Sequence, residues 1–290
     1  MDGILIIDKP AGITSHDVVA RVRRTLKTKR VGHTGTLDPF ATGVMVVLVG
    51  KATRLAQFLD KDEKEYEAVV RFGFETDTGD NTGSPRSEIR NPHSVDAETV
   101  ESALARFRGT FMQTPPMYSA KKIEGKKLYE LARKGVEVER EAVKITIKHL
   151  ELVPDGNLPA DSLRIRVACS AGTYIRTLAE DIGREVGLGA HLTELRRTWA
   201  GRFTIDEAVE LDEIRQSDLL PIELAVEHLP TFTLGEDRVP KTLNGMSTRD
   251  LSSTFTGGQY IRMTAPDGDL VAIGFYDDAE KVIQPKVVLG

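Results

Sequence analysis

Apolar residues along the chain follow two spacings, and the switches between them mark out the elements. ILIID (4–8) reads as a short buried strand and KPAG (9–12) as the turn after it. VMVVLVG (44–50) is an unbroken β-branched run, which fits a strand covered on both faces. Between them, TSHDVVARVRRTL carries Val18, Val19, Val22 and Leu26 at helical spacing, with Ser15 as the expected cap. YEAVVRFGFE (66–75) alternates instead, putting Tyr66, Ala68, Val70, Phe72 and Phe74 on one side of a strand. TDTGDNTG (76–83) ends that strand with turn-forming residues. Val100, Ala103, Leu104 and Phe107 predict a short amphipathic helix. LRIRVAC (163–169) alternates with Leu163, Ile165, Val167 and Cys169 inward. SAGTYIRTLAEDIG (170–183) then turns into a helix bearing Ile175, Leu178, Ala179 and Ile182.

Two regions break this texture. From Met117 to Glu141 runs a mixed-charge insertion with little strand patterning, holding Lys121, Lys122, Lys126, Lys127, Arg133, Lys134 and Arg140. After Pro230, QYIRMT, DLVAIGFY and KVIQPKVV predict three short strands, with APDGD (265–269) as a hairpin turn. They make a small all-β module of about sixty residues, an ordinary size for a small domain.

Composition narrows the chemistry. The 290 residues suit one large domain or one domain with an appendage. No apolar run approaches the roughly 20 residues that cross a bilayer. MDGILIIDKPAG lacks the basic region and cleavage site of a leader, and Cys169 is the single cysteine, so the expected compartment is the cytoplasm. The net charge of -5 argues against a polyanionic partner only until its distribution is considered. Asp206 to Arg238 holds ten acids and two arginines, so the remainder of the chain is net positive. Arg21 to Arg30 alone has six basic residues and no acid, which fits a solvated helix face and a phosphate-contacting surface equally.

Several reaction classes drop out. Six scattered histidines, without HExxH or paired cysteines, do not predict a metal centre. GxSxG and GxGxxG are absent, and GVMVVLVGKAT (43–53) has the wrong spacing and an alanine after Lys51 for a phosphate loop. What remains is carboxylate, aromatic and arginine chemistry. The acid with the most distinctive setting is Asp38 in GHTGTLDPFATG (32–43). It is either a turn former or a carboxylate held for work as nucleophile or general base. Glycines 32, 35 and 43 would let backbone approach a ligand closely, and Pro39 fixes the chain just after the acid.

Six segments in order resemble the pseudouridine synthase family, in its bacterial branch (the TruB type) that modifies the T-arm uridine of tRNA. They are KPAGITS (9–15), GHTGTLDPFATG (32–43), KEYEAVVRFGFETDTGD (64–80), YSAKKIEGKKLYELARKG (118–135), CSAGTYIRTLAEDIG (169–183) and LRRTWAGRF (195–203). The resemblance implies an α+β fold, a mixed and mostly antiparallel sheet with flanking helices, over 1–228. Residues 117–141 become an RNA-gripping thumb, and 229–290 a reduced RNA-binding domain of the PUA sort. The acidic stretch before it is then a linker that avoids phosphate.

The resemblance further implies that Asp38 is the nucleophile in converting uridine's N-glycosidic bond to a C-glycosidic one, without metal, nucleotide or redox cofactor. Tyr66 becomes a site tyrosine that stacks on the base and takes part in proton transfer. Arg176 becomes an ion-pair partner that lowers the pKa of Asp38, and Tyr174 and Leu195 line the uridine pocket. His33 is either bonded within its loop or a wedge into the T loop. Lys9 is a support for the catalytic loop or a plain surface lysine. The partner is the T stem-loop of tRNA, with no obligate protein partner and a monomeric chain. Two alternatives are a relative acting inside a guide-RNA particle and an RNA-folding protein with a vestigial site. The bacterial-style thumb weighs against the first, and intact Asp38, Tyr66 and Arg176 against the second.

Overall fold

The computed structural model describes residues 1–86, 94–119, 121–123, 125–132, 134–136, 138–250 and 255–290. Its strands are β1 (Gly3–Lys9), β2 (Val31–His33), β3 (Thr42–Val49), β4 (Lys64–Phe72), β5 (Gly109–Gln113), β6 (Lys122–Ile123), β7 (Lys126–Lys127), β8 (Val143–Val153) and β9 (Ser162–Cys169). They continue as β10 (Ala190–Ala200), β11 (Phe203–Thr204), β12 (Val209–Glu210), β13 (Thr231–Thr233), β14 (Thr248–Arg249), β15 (Tyr260–Thr264), β16 (Leu270–Asp277) and β17 (Val282–Val288). The helices are α1 (Ser15–Thr25), α2 (Ala56–Leu59), α3 (Ala97–Arg106), α4 (Leu128–Ala132), α5 (Ile175–Val186) and α6 (Val239–Leu243).

Ten strands form the main sheet in the order β12-β1-β3-β10-β4-β9-β8-β5, with β2 added on β3 and β11 on β10. Only β1 with β12 and β3 with β10 pair in parallel; the other pairs are antiparallel. This is the mixed sheet expected. The unbroken apolar runs of β1 and β3 have a direct cause. Ile4, Ile6, Val44 and Val46 share one buried core with Leu270, Ile273 and Val287 of the second sheet and with Leu289. Leu5, Ile7, Met45 and Val47 face Val18, Val19 and Val22 of α1 on the opposite side. Further along the sheet, Ala68, Val70, Phe72, Ile165 and Val167 lie under Leu104 of α3 and Leu178 and Ile182 of α5.

Four expectations need correction. Thr14, not Ser15, caps α1, in a reciprocal capping box with Asp17; Ser15 is buried and spent elsewhere. β4 stops at Phe72, because Gly73 takes φ +118 and turns the chain. Phe74 leaves the strand face and stacks on His191, with ring centroids 4.5 Å apart. The acidic stretch after 205 is no free linker: β12 pairs with β1, Leu220 bridges to Ile4, and Ile214, Ala225 and Val226 enter the core. The C-terminal sheet, in the order β13-β15-β16-β17-β14, adds α6 and two short strands to the three predicted. Within the insertion, β6 pairs with β7 ahead of α4, so it holds a small hairpin and a helical turn. Arg133 and the side chains of Lys122, Lys126 and Lys127 lie outside the described residues.

Candidate active site

Asp38 sits in the loop between β2 and β3, and the chain on both sides of it is tied down. The Ser15 hydroxyl accepts from the Leu37 N–H at 2.9 Å and donates to the Leu37 carbonyl at 3.1 Å. Leu37 itself is anchored in the core under α5. On the far side, the Gly12 N–H donates to the Pro39 carbonyl at 2.8 Å. Lys9 Nζ donates to the carbonyls of Ala41 (2.7 Å), Pro10 (2.9 Å) and Pro39 (3.3 Å). The first sequence motif thus acts as a bracket for the second.

Lys9 is fully buried, which overturns the surface reading. Burial is the main cause lowering its pKa to about 8, against the opposing charge of Asp38. The unfolded chain then holds this proton up to about pH 10.5 while the folded chain gives it up near pH 8. Stability attributable to Lys9 therefore rises with pH across that window. Urea unfolding of wild type and Lys9→Met should show their difference moving in favour of wild type by about 1–2 kcal/mol between pH 7.5 and 9.5. A difference independent of pH would mean that the ammonium is not desolvated.

Of the three loop glycines, Gly43 is the one that packing requires, while Gly35 lines the cavity beside Asp38. A Cβ on Gly43, at φ +101, would collide with the Arg197 backbone, and one on Gly35 would reach the Arg197 guanidinium at 3.4 Å. Gly43 thus lets β3 close onto β10.

Arg176, in the first turn of α5, is the centre of the constellation. Its side chain is only 5 % exposed. Nε and Nη2 grip both oxygens of Asp38 at 2.8 and 3.1 Å. Nη1 donates to the Thr78 carbonyl at 2.6 Å and Nη2 to the Tyr118 carbonyl at 2.7 Å. Asp80 stands 3.9 Å from Nη1 and is held by Thr78 and Thr82. TDTGDNTG is therefore more than a turn, since it supplies a carbonyl and a second carboxylate to the arginine. The pair was expected to lower the pKa of Asp38. Instead its pKa is raised: burial outweighs the guanidinium, and Asp80 adds repulsion.

Asp38, Tyr66, Tyr174, Arg176 and Leu195 all line one cavity of about 240 Å³, together with Lys64, Ser119 and Arg197. Tyr66 faces inward from β4 opposite Arg197 of β10, and burial keeps its phenol protonated to higher pH. Tyr174 caps α5 and is likewise raised by burial. A larger cavity of about 600 Å³ lies beyond Arg176, which walls both; it lacks Asp38. Lys9 lies behind the loop. His33, at the end of β2, lines neither cavity: it meets His16 edge-on at 6.1 Å, and its buried Nδ1 has no partner. The reading that its ring bonds within its own loop is supported by a hydrogen bond between the ring and the Gly35 backbone.

The profile of the TruB family pseudouridylate synthase N-terminal domain matches residues 23–175, and that of the tRNA pseudouridylate synthase B C-terminal domain matches 176–227. The chain belongs to the TruB family. It is 47% identical to tRNA pseudouridine synthase B of Solibacter usitatus, covering 94% of this chain and 95% of that one. It is 40% identical to the protein of that name from Bacillus subtilis, covering 100% and 98%. A chain solved in a Cbf5-Nop10-Gar1 complex superposes with a TM-score of 0.75 at 27% identity, covering 99% of this chain and 85% of its own. The junction of the two TruB profiles falls just before Arg176, yet Asp38 and Arg176 meet in one site and β10 lies inside the main sheet.

Some residues of this TruB-family site escaped the sequence reading. Arg197 shares the inward parity of Leu195, is 2 % exposed and donates to the Val44 carbonyl at 2.7 Å. An arginine at an apolar strand position was the available signal. Lys64 is buried at the start of β4, two residues before Tyr66, and donates to the carbonyls of Asp60 and Asp62. Gln113 carried no signal at all; its bonds are described below. Among the described residues no helix is long and apolar enough to cross a membrane.

Proposed function

We propose that this isomerase converts the T-arm uridine of tRNA to pseudouridine with Asp38 as nucleophile. The observation that carries the reading is the Asp38 carboxylate, gripped at both oxygens by Arg176, in a cavity lined by Tyr66 and Tyr174. The N1–C1′ bond breaks, the base turns, and C5 bonds to C1′; the C5 hydrogen leaves as a proton and N1 gains one. The carboxylate can attack the base at carbon 6 or the ribose at carbon 1′, and both routes need it ionised. Arg176, with its donors occupied by Asp38 and two carbonyls, holds the acid without moving during the reaction.

The uridine reaches a cavity of this size only after leaving its stack, at a cost of a few kcal/mol. His33, beside the loop rather than in the cavity, has the place of a wedge that fills the vacated stack. Phosphates meet Lys121 and Lys134 of the insertion and the exposed Arg24, Lys27, Lys29 and Arg30, so affinity falls as salt rises. The reading divides the chain at 228/229. It gives the C-terminal sheet a role in bracing the catalytic part as well as in contacting RNA, since Leu270, Ile273, Val287 and Leu289 share one core with residues of β1 and β3. It takes the chain to be a cytoplasmic monomer.

The test is single-turnover tritium release from a tRNA transcript labelled at uridine C5. Wild type should release one tritium per tRNA, and a transcript with cytidine at the T-arm position should release none. Tyr66→Phe should lose about 10²-fold or more in rate with affinity unchanged, as expected for a group acting in the transition state. A loss confined to affinity would make Tyr66 a binding residue only.

A further inference from the structure

Tyr174 has an unusual support. It is the N-cap of α5, yet its own side chain caps nothing. Its backbone is instead held from outside by one amide side chain. Gln113 Oε1 accepts from the Tyr174 N–H at 2.8 Å, and Gln113 Nε2 donates to the Tyr174 carbonyl at 3.1 Å. That carbonyl also accepts the first helical bond, from the Leu178 N–H at 3.1 Å. Gln113 is 1 % exposed and ends β5, four residues before the insertion begins at Met117. A reciprocal pair of bonds to one backbone fixes both its position and its rotation, as a strand partner does. A buried amide with both ends satisfied is also costly to replace by an apolar residue, since the Tyr174 N–H loses its partner and the carbonyl keeps only its helical bond.

The same insertion root touches the site twice more. Ser119 is buried and lines the Asp38 cavity beside Tyr174, and the Tyr118 carbonyl takes a donor of Arg176. Segment 113–119 is thus built onto the start of α5 by its backbone and side chains together.

We propose that Gln113 is a positioning residue for the isomerisation, setting the Tyr174 ring against the uridine from the root of the insertion. The inference rests on the reading of the Asp38 cavity as the uridine pocket. Gln113 touches neither base nor Asp38; it acts through Tyr174. A ring displaced by an ångström would leave the base misaligned with the carboxylate, and misplacement on that scale lowers rates by up to about 10²-fold.

The experiment is a double-mutant cycle in the single-turnover tritium assay, with tRNA affinity measured alongside. Gln113→Leu should slow release about tenfold or more while the Kd for tRNA stays within about threefold. In a Tyr174→Ala background the same substitution should cost less than about threefold, because the ring it positions is gone. Gln113→Glu keeps the size and the acceptor for the Tyr174 N–H, should fall between wild type and Gln113→Leu, and takes its place in the cycle if that variant does not fold. Wild-type rates for Gln113→Leu, or an equal loss in both backgrounds, would overturn the proposal; an equal loss is the mark of general support to the fold. Failure of wild type to release tritium, or release by Asp38→Asn, would instead overturn the reading of the pocket, so the two failures are distinguishable.

Discussion

Asp38→Asn is expected to abolish tritium release, a loss of at least about 10⁴-fold in the single-turnover rate, while tRNA affinity stays within about threefold. The magnitude follows from the chemistry. An amide is nearly isosteric with the carboxylate but has no charge to share with carbon 6 or carbon 1′. Little in the loop has to move: Leu37 stays clamped by Ser15, and Pro39 and Ala41 by Lys9. Binding should survive because the phosphate contacts proposed above lie on other elements. Activity within tenfold of wild type would remove Asp38 from the nucleophile's role.

Arg176→Lys should cost about 10²–10³-fold in rate and shift the acid limb of the pH profile upward. An ammonium cannot span both Asp38 oxygens and still reach the carbonyls of Thr78 and Tyr118, which the planar guanidinium does at 2.6–3.1 Å. The sign follows from the opposing forces on Asp38. Burial and Asp80 raise its pKa, and Arg176 is the chief force lowering it. A weaker grip lets the pKa rise further, so the reactive carboxylate is lost at higher pH as acid is added. The pH dependence of single-turnover rates for the two proteins measures this, and an unmoved or lowered acid limb would show that Arg176 does not govern ionisation. Arg176→Ala should be worse for folding as well, because it leaves two carboxylates and two carbonyls around a vacated guanidinium.

Local patterning made much of the frame legible. The β-branched runs of β1 and β3, the alternation of β4 and β9 and the helical spacing in α1 and α5 each follow from nearest neighbours on one face, which a string of residues records directly. The motif around Asp38 and the Tyr-x-Arg of α5 could be assigned from resemblance before any contact was known. Parity would also have revealed Arg197, inward beside Leu195 and 2 % exposed.

Other features are decided by approach in three dimensions. The burial of Lys9 depends on three carbonyls, two of them some thirty residues away, converging on one ammonium. The raised pKa of Asp38 depends on its burial set against the charges of Arg176 and Asp80, a balance that spacing does not encode. The acidic stretch after 205 looked like a linker because its charges dominate, while the few apolar residues that seat it on β1 show only once β1 is there. By itself the sequence determined that β1, β3, β4, β9, α1, α3 and α5 form, which face of each is apolar, and which acid, arginine and tyrosines to watch, while the central strand β10 and strand β8 went unpredicted. The tertiary structure alone decided which of these side chains touch, and so their protonation and their support, because hydrogen bonds and desolvation act over a few ångströms of space between residues as far apart as 38 and 176.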